Sequence, residues 1–189
     1  MLPHLHRAYQ EPHRRYHTLA HVDDCLRELA ATPGLSAQDR RLLEWAIWWH
    51  DAVYDPACSD NEAASADLAR RDLAALGASE PEREEVARLI LLTKGHAVPA
   101  RDRLGAVLVS IDLAILGRSP EAYDRYAAQV RQEYALVPDE AFRAGRAAVL
   151  RHFLDAPAIY PDPRFSRPAG SAGPGEPRAR TRVSPGIGP

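Results

Sequence analysis

Residues 45–54, W-A-I-W-W-H-D-A-V-Y, constrain this chain more than any other stretch. An apolar helical run delivers two adjacent polar groups, His50 and Asp51, at its end. Leu42, Leu43, Ala46, Ile47 and His50 fall on one helical face, and Ser36 with Asp39 is a start signal for that helix. A buried imidazole or carboxylate needs a hydrogen-bond or charge partner. Placing the two side by side at the foot of three tryptophans is therefore costly unless something binds both. A divalent metal does so, because imidazole nitrogen and carboxylate oxygen are both good ligands for such ions. Two ligands make a weak site, so more are expected elsewhere in the chain.

The remainder reads as helices. Residues 1–16 hold a short helix stopped before Pro12. A pattern over 17–31 carries Leu19, Val22, Leu26 and Leu29 and ends at Pro33-Gly34. Further helices are predicted over 61–76, from the Ser79–Glu82 capping box to Thr93, over 102–117, from Ser119-Pro120 to Tyr134, and from Asp139 to Phe153. β-branched alternation and hairpin turn pairs are absent, so the expected fold is an all-α bundle of about seven helices. A folded domain over 1–160 is followed by a Pro/Gly/Arg-rich segment over 161–189, read as disordered from about 165.

Bulk properties narrow the function. A formal charge of −2 gives no general attraction to a nucleic-acid polymer or an anionic membrane. Cys25 and Cys58 form neither a disulfide framework nor a CxxC motif, which favours a reducing compartment. The first residues do not resemble a signal peptide, and nothing approaches a membrane-spanning run, so a cytoplasmic location is expected.

Three further polar groups stand out. His17 and His21 are four apart, so on one helix they would share a face. Asp112 interrupts the most apolar helix, where a lone buried carboxylate costs several kcal/mol unless an ion, an Arg or a His neutralises it. Taken alone, His21 reads equally as a surface residue, Asp112 as the partner of an arginine. Together with His50-Asp51, in this order on three helices, His21 and Asp112 point to a metal.

In that order, and with the flanking stretches E-P-H-R-R-Y-H-T-L-A-H-V, N-E-A-A-S-A, T-K-G-H, I-D-L-A-I-L-G and Y-x-x-Y-x-x-x-V-R-x-E-Y, the chain resembles the HD superfamily of metal-dependent phosphohydrolases from about Tyr9 to Tyr160. The resemblance implies an HD-domain helical bundle in which His21, His50, Asp51 and Asp112 ligate one divalent cation (Mn, Fe, Co, Ni, Zn or Mg). It implies hydrolysis of a phosphomonoester or phosphodiester, plausibly a nucleotide, by metal-activated water. Asp51, His17, Lys94 and His96 are the candidate catalytic residues. His17 is either the acid that protonates the leaving group or a brace for its loop. Lys94, the only lysine beside 23 arginines, is a phosphate contact or a helix-end cation. Arg131 and Arg146 match the family pattern and read equally as ion-pair partners, and Glu62 as a group behind the ligands or a helix N-terminal acid. His96 is the only histidine between Asp51 and Asp112. A second metal would therefore need carboxylates such as Asp55 or Glu62, and one metal is expected. The alternative is a non-catalytic helical module that binds a nucleotide or metal and reports it to a partner.

Overall fold

The computed structural model describes residues 2–166. Among them are eight α-helices and two 3-10 segments, and no strand. Helix α1 spans Pro3–Ala8, α2 Leu19–Ala31, α3 Ala37–Trp49, α4 Asn61–Ala75 and α5 Glu80–Leu92. Helix α6 spans Arg103–Asp112, α7 Pro120–Glu133 and α8 Asp139–Asp155. The boundaries follow local chemistry. Ser36 with Asp39 and Ser79 with Glu82 form reciprocal capping boxes, while Thr18, Asp102 and Ser119 accept from the first free amides of α2, α6 and α7.

Helix α3 is the centre of the bundle, packed against α2, α4, α5 and α6. Its Leu43, Ala46 and Ile47 are wholly buried against Val22 of α2, Ala66, Ala69 and Leu73 of α4, Val86, Leu89 and Ile90 of α5, and Val107 of α6. A smaller apolar cluster joins Val109, Leu113 and Leu116 to Phe153, the one buried residue of α8. Two polar side-chain groups in this interior are hydrogen-bonded. The Trp49 indole donates to Asp72 at 2.9 Å and the Tyr9 hydroxyl to the Trp48 carbonyl at 3.1 Å.

Three sequence expectations change. The second helix begins at Leu19, not His17, because Thr18 takes the N-cap and leaves His17 outside it. The run over 102–117 is not one helix, since α6 ends at Asp112 and the chain tightens into a 3-10 segment over Leu113–Gly117. The packed structure also continues past residue 160. The Asp162 amide donates to the buried Ser110 hydroxyl at 2.9 Å, a 3-10 turn forms over Pro163–Phe165, and Phe165 is buried in the core. That bond explains Ser110, a polar residue in the most apolar helix. The disorder expected for the C-terminal segment falls on residues 167–189, outside the described residues.

Phe165→Ala should therefore lower the unfolding free energy by about 3 kcal/mol, the usual scale for emptying a buried aromatic site. Urea denaturation measures it, and an unchanged midpoint would mean that the segment after Tyr160 adds nothing to the fold.

Candidate metal centre

Helices α2, α3 and α6 cross where His21, His50, Asp51 and Asp112 meet. His21 sits in the first turn of α2, buried beside Val22 and Cys25. His50 caps the C-terminus of α3, and Asp51 follows as the chain turns away. Asp112 is the last residue of α6. His21, His50 and Asp112 thus stand in or at the end of helices flanked by apolar neighbours, and Asp51 follows directly on one of them.

His50 Nδ1 lies 2.8 Å from the Ile47 carbonyl. A carbonyl only accepts, so Nδ1 carries the proton and Nε2 faces the cluster. That Nε2 lies 3.2 Å from His21 Nε2, 3.0 Å from Asp51 Oδ2 and 3.6 Å from Asp112 Oδ1. His21 Nε2 lies 3.1 Å from Asp112 Oδ1 and 3.7 Å from Asp51 Oδ2. Atoms held about 2.1 Å from a common ion stand about 3.0 Å apart at right angles and about 3.4 Å apart at tetrahedral angles. The three shortest separations, 3.0 to 3.2 Å, match that spacing, and the other two are longer. His21, His50 and Asp51 are close enough to share one ion, as are His21, Cys25 and Asp112. Lone pairs converging in a buried space repel unless protons or a cation stand between them, so the donor set suits a divalent ion. Comparison with protein-family models, with curated proteins and with solved structures finds no match for this chain.

The electrostatics are those of a strongly coupled site. Burial opposes charge on Asp112, but hydrogen bonds from His21, His50 and His96 outweigh it and hold its pKa well below the usual carboxylate range. Asp51 is likewise held low against burial, chiefly by the charge of His50. Burial disfavours the charged form of His50, yet Asp51 and Asp112 raise its pKa well above that of free imidazole.

His96 Nε2 meets the other oxygen of Asp112, at 3.0 Å, from a backbone with φ of 53°. A left-handed conformation is unusual for a non-glycine residue, and here it turns the imidazole from the end of α5 toward α6. Lys94 does not reach the cluster residues: its Nζ pairs with the exposed Asp60 at 3.0 Å. Asp55 caps its own loop through the Ala57 amide and Cys58 thiol, and neither it nor Glu62 joins the groups close enough to share a metal with His21. His17 does approach His21, with ring centroids 6.0 Å apart, but from the loop before α2 and not along a shared helical face.

Two residues that complete the site were not singled out from the sequence. The first is Glu133, the last residue of α7. One of its carboxylate oxygens accepts the backbone amides of Arg15, Tyr16 and His17 at 2.7, 2.7 and 2.9 Å. The other accepts His17 Nδ1 at 2.7 Å and the Tyr54 hydroxyl at 3.0 Å. An acid at a helix C-terminus opposes the macrodipole, and Glu133 is the acid of the V-R-x-E-Y stretch, so two signals were available. The second is Arg14, buried and donating to the carbonyls of His17 at 3.1 Å, Asp51 at 2.7 Å and Ala52 at 3.2 Å. Nothing in R-R-Y distinguishes it from the adjacent Arg15.

Burial alone would raise the Glu133 pKa, but the His17 bond and the amides pull it down from 4.5 to about 2. A carboxylate with a depressed folded pKa stabilises the fold above its ordinary value, and the stabilisation fades as pH falls toward the folded one. Glu133→Gln should therefore be less stable than wild type at pH 7, and the gap should narrow as pH drops from about 4.5 toward 2. Urea unfolding of both proteins across that range tests it, and a gap independent of pH would refute the charged role of Glu133.

Proposed function

We propose that this chain is a metal-dependent phosphohydrolase that cleaves a phosphomonoester or phosphodiester, plausibly of a nucleotide. The observation that supports it most is that His21, His50 and Asp51 each bring one acceptor atom close enough to share a divalent ion, with an Asp112 oxygen 3.1 Å from His21 and 3.6 Å from His50. The order of these residues along the chain, H…HD…D, is also that of the HD phosphohydrolases it resembles. A cation held there would polarise a phosphoryl oxygen and favour ionisation of an attacking water.

The protein's own groups suit the remaining steps. Hydrolysis joins a water oxygen to phosphorus and breaks the bond to the leaving oxygen, which must take up a proton. His17 Nδ1 is committed to Glu133, so Nε2 is the end of the ring left for that transfer. Tyr54 packs on the His17 ring, centroids 4.2 Å apart, and bonds the same carboxylate, so the imidazole is held on two sides. Arg14 ties the His17 carbonyl to those of Asp51 and Ala52, which fixes the spacing between His17 and Asp51. His96 occupies the outer oxygen of Asp112 and so orients the inner one toward His21 and His50.

Elemental analysis of the purified protein, with a phosphate-release screen over simple mono- and diesters, is the direct test. About one equivalent of divalent metal is expected, with release from at least one ester. Asp51→Ala and Asp112→Ala should retain less than about a tenth of the metal and lose turnover by at least about 100-fold. Undiminished turnover in either variant would overturn the assignment. Bound metal without turnover of any phosphoester would instead favour a non-catalytic binding module.

A further inference from the structure

A phosphoryl group brought to this centre carries negative charge that the two ligand carboxylates already spend against a divalent ion, so a further cation is needed to hold it. The cations around the cluster are nearly all committed. Arg14 donates to three carbonyls and Glu11. Arg118 bonds Glu28 at 2.7 Å, and Lys94 bonds Asp60. Arg131, which the sequence left equivalent to Arg146, binds Asp139 and the carbonyls of Tyr134 and Val137, and so closes the turn between α7 and α8.

Arg146 differs. Among the described residues no carboxylate lies within ion-pair distance of it, and its Nη2 is buried with no hydrogen-bond partner. Its guanidinium lies over the Tyr126 ring, 4.9 Å from the centroid. Tyr126 meets Tyr16 edge-on at 4.5 Å, and Tyr16 lies 4.8 Å from the ligand His21. An aromatic relay of two rings therefore separates the ligand His21 from an arginine on α8 that interacts with Tyr126 and Tyr123 and keeps one nitrogen unpartnered. A buried guanidinium nitrogen with no acceptor is a standing penalty for a protein unless an anion supplies one. Stacking on a ring fixes the plane of the fork, which favours two parallel bonds to an oxyanion.

We propose that Arg146 is the phosphate-binding cation of this site and holds the phosphoryl oxyanion of the substrate through its guanidinium. The assignment rests on the phosphohydrolase reading for its biological meaning, but anion binding can be measured without turnover. Metal-loaded wild type, Arg146→Met and Arg146→Lys are titrated with inorganic phosphate by calorimetry, with metal content and thermal unfolding read on the same samples.

Wild type should bind phosphate, Arg146→Met should bind it at least about tenfold more weakly, and Arg146→Lys should fall between, all with equal metal. If Arg146→Met does not fold, a drop in affinity for a folded Arg146→Lys carries the same conclusion. Equal affinity in wild type and a folded variant, or no phosphate bound by metal-loaded wild type, overturns the proposal. Turnover separates it from the broader reading. Arg146-dependent phosphate binding without release from any ester keeps the anion site and removes the hydrolase. Hydrolysis with unchanged KM and kcat in Arg146→Met keeps the hydrolase and removes this role for Arg146.

Discussion

Two carboxylates turned toward imidazole nitrogens inside a packed bundle are the constraint on which this structure rests. One uncompensated buried charge costs several kcal/mol, a large share of the stability of a typical domain. Asp51 and Asp112 together would consume most of it if nothing answered them. What holds them in place is apolar. His21 is flanked by Val22 and Cys25, His50 follows Ile47 and Trp49, and Asp112 stands between Ile111 and Leu113, all buried. Hydrophobic burial fixes three helix ends at one point, and the polar groups at those ends must then be balanced by protons on the imidazoles or by a cation between them. The choice is a competition, because a metal enters such a site by displacing protons.

The next layer outward keeps the loops from relaxing away from that point. Arg14 satisfies the carbonyl of His17, before α2, and those of Asp51 and Ala52, after α3, and so binds the chain before α2 to the chain after α3. Glu133 does the complementary job for donors, collecting three consecutive amides and the His17 ring. One residue gathers acceptors and the other donors. Both carry a charge, so each bond is stronger than its neutral counterpart. The His17 loop is thereby set by α7, more than one hundred residues away in sequence.

This explains which features were legible in the sequence. Capping boxes at Ser36 and Ser79 act within one helical turn, so they are written in the sequence they organise. The four ligands stood out because polar groups in apolar helices are anomalous wherever they occur. Glu133 and Arg14 were not legible in the same way, since an acid or an arginine at a helix end or in a loop is ordinary until its partners are known. Ser110 belongs with them. Its partner is the Asp162 amide, in a segment whose prolines and proximity to a Gly-rich stretch suggested disorder. A three-residue turn anchored by Phe165 leaves no periodicity to detect. His17 shows the opposite failure. Its spacing from His21 suggested a helical pair, whereas the Thr18 cap ends the helix between them and a long-range carboxylate brings the rings together.

Arginine usage carries the same lesson one step further. With 23 arginines and a single lysine, residue type says nothing about role, and every Arg reads alike. The fold sorts them by acceptors. Arg131 and Arg146 lie on neighbouring helices, and each stacks on an aromatic ring, Phe142 and Tyr126 respectively. Arg131 finds a carboxylate and two carbonyls, which consume its donors and make it a staple. Arg146 has a ring and two tyrosines for neighbours but a buried nitrogen with no acceptor. A guanidinium cannot shed its charge to escape that position, as a lysine can. An oxyanion is the kind of acceptor that would complete such a position, because it brings charge as well as oxygens to the nitrogen that the two tyrosines leave unpartnered.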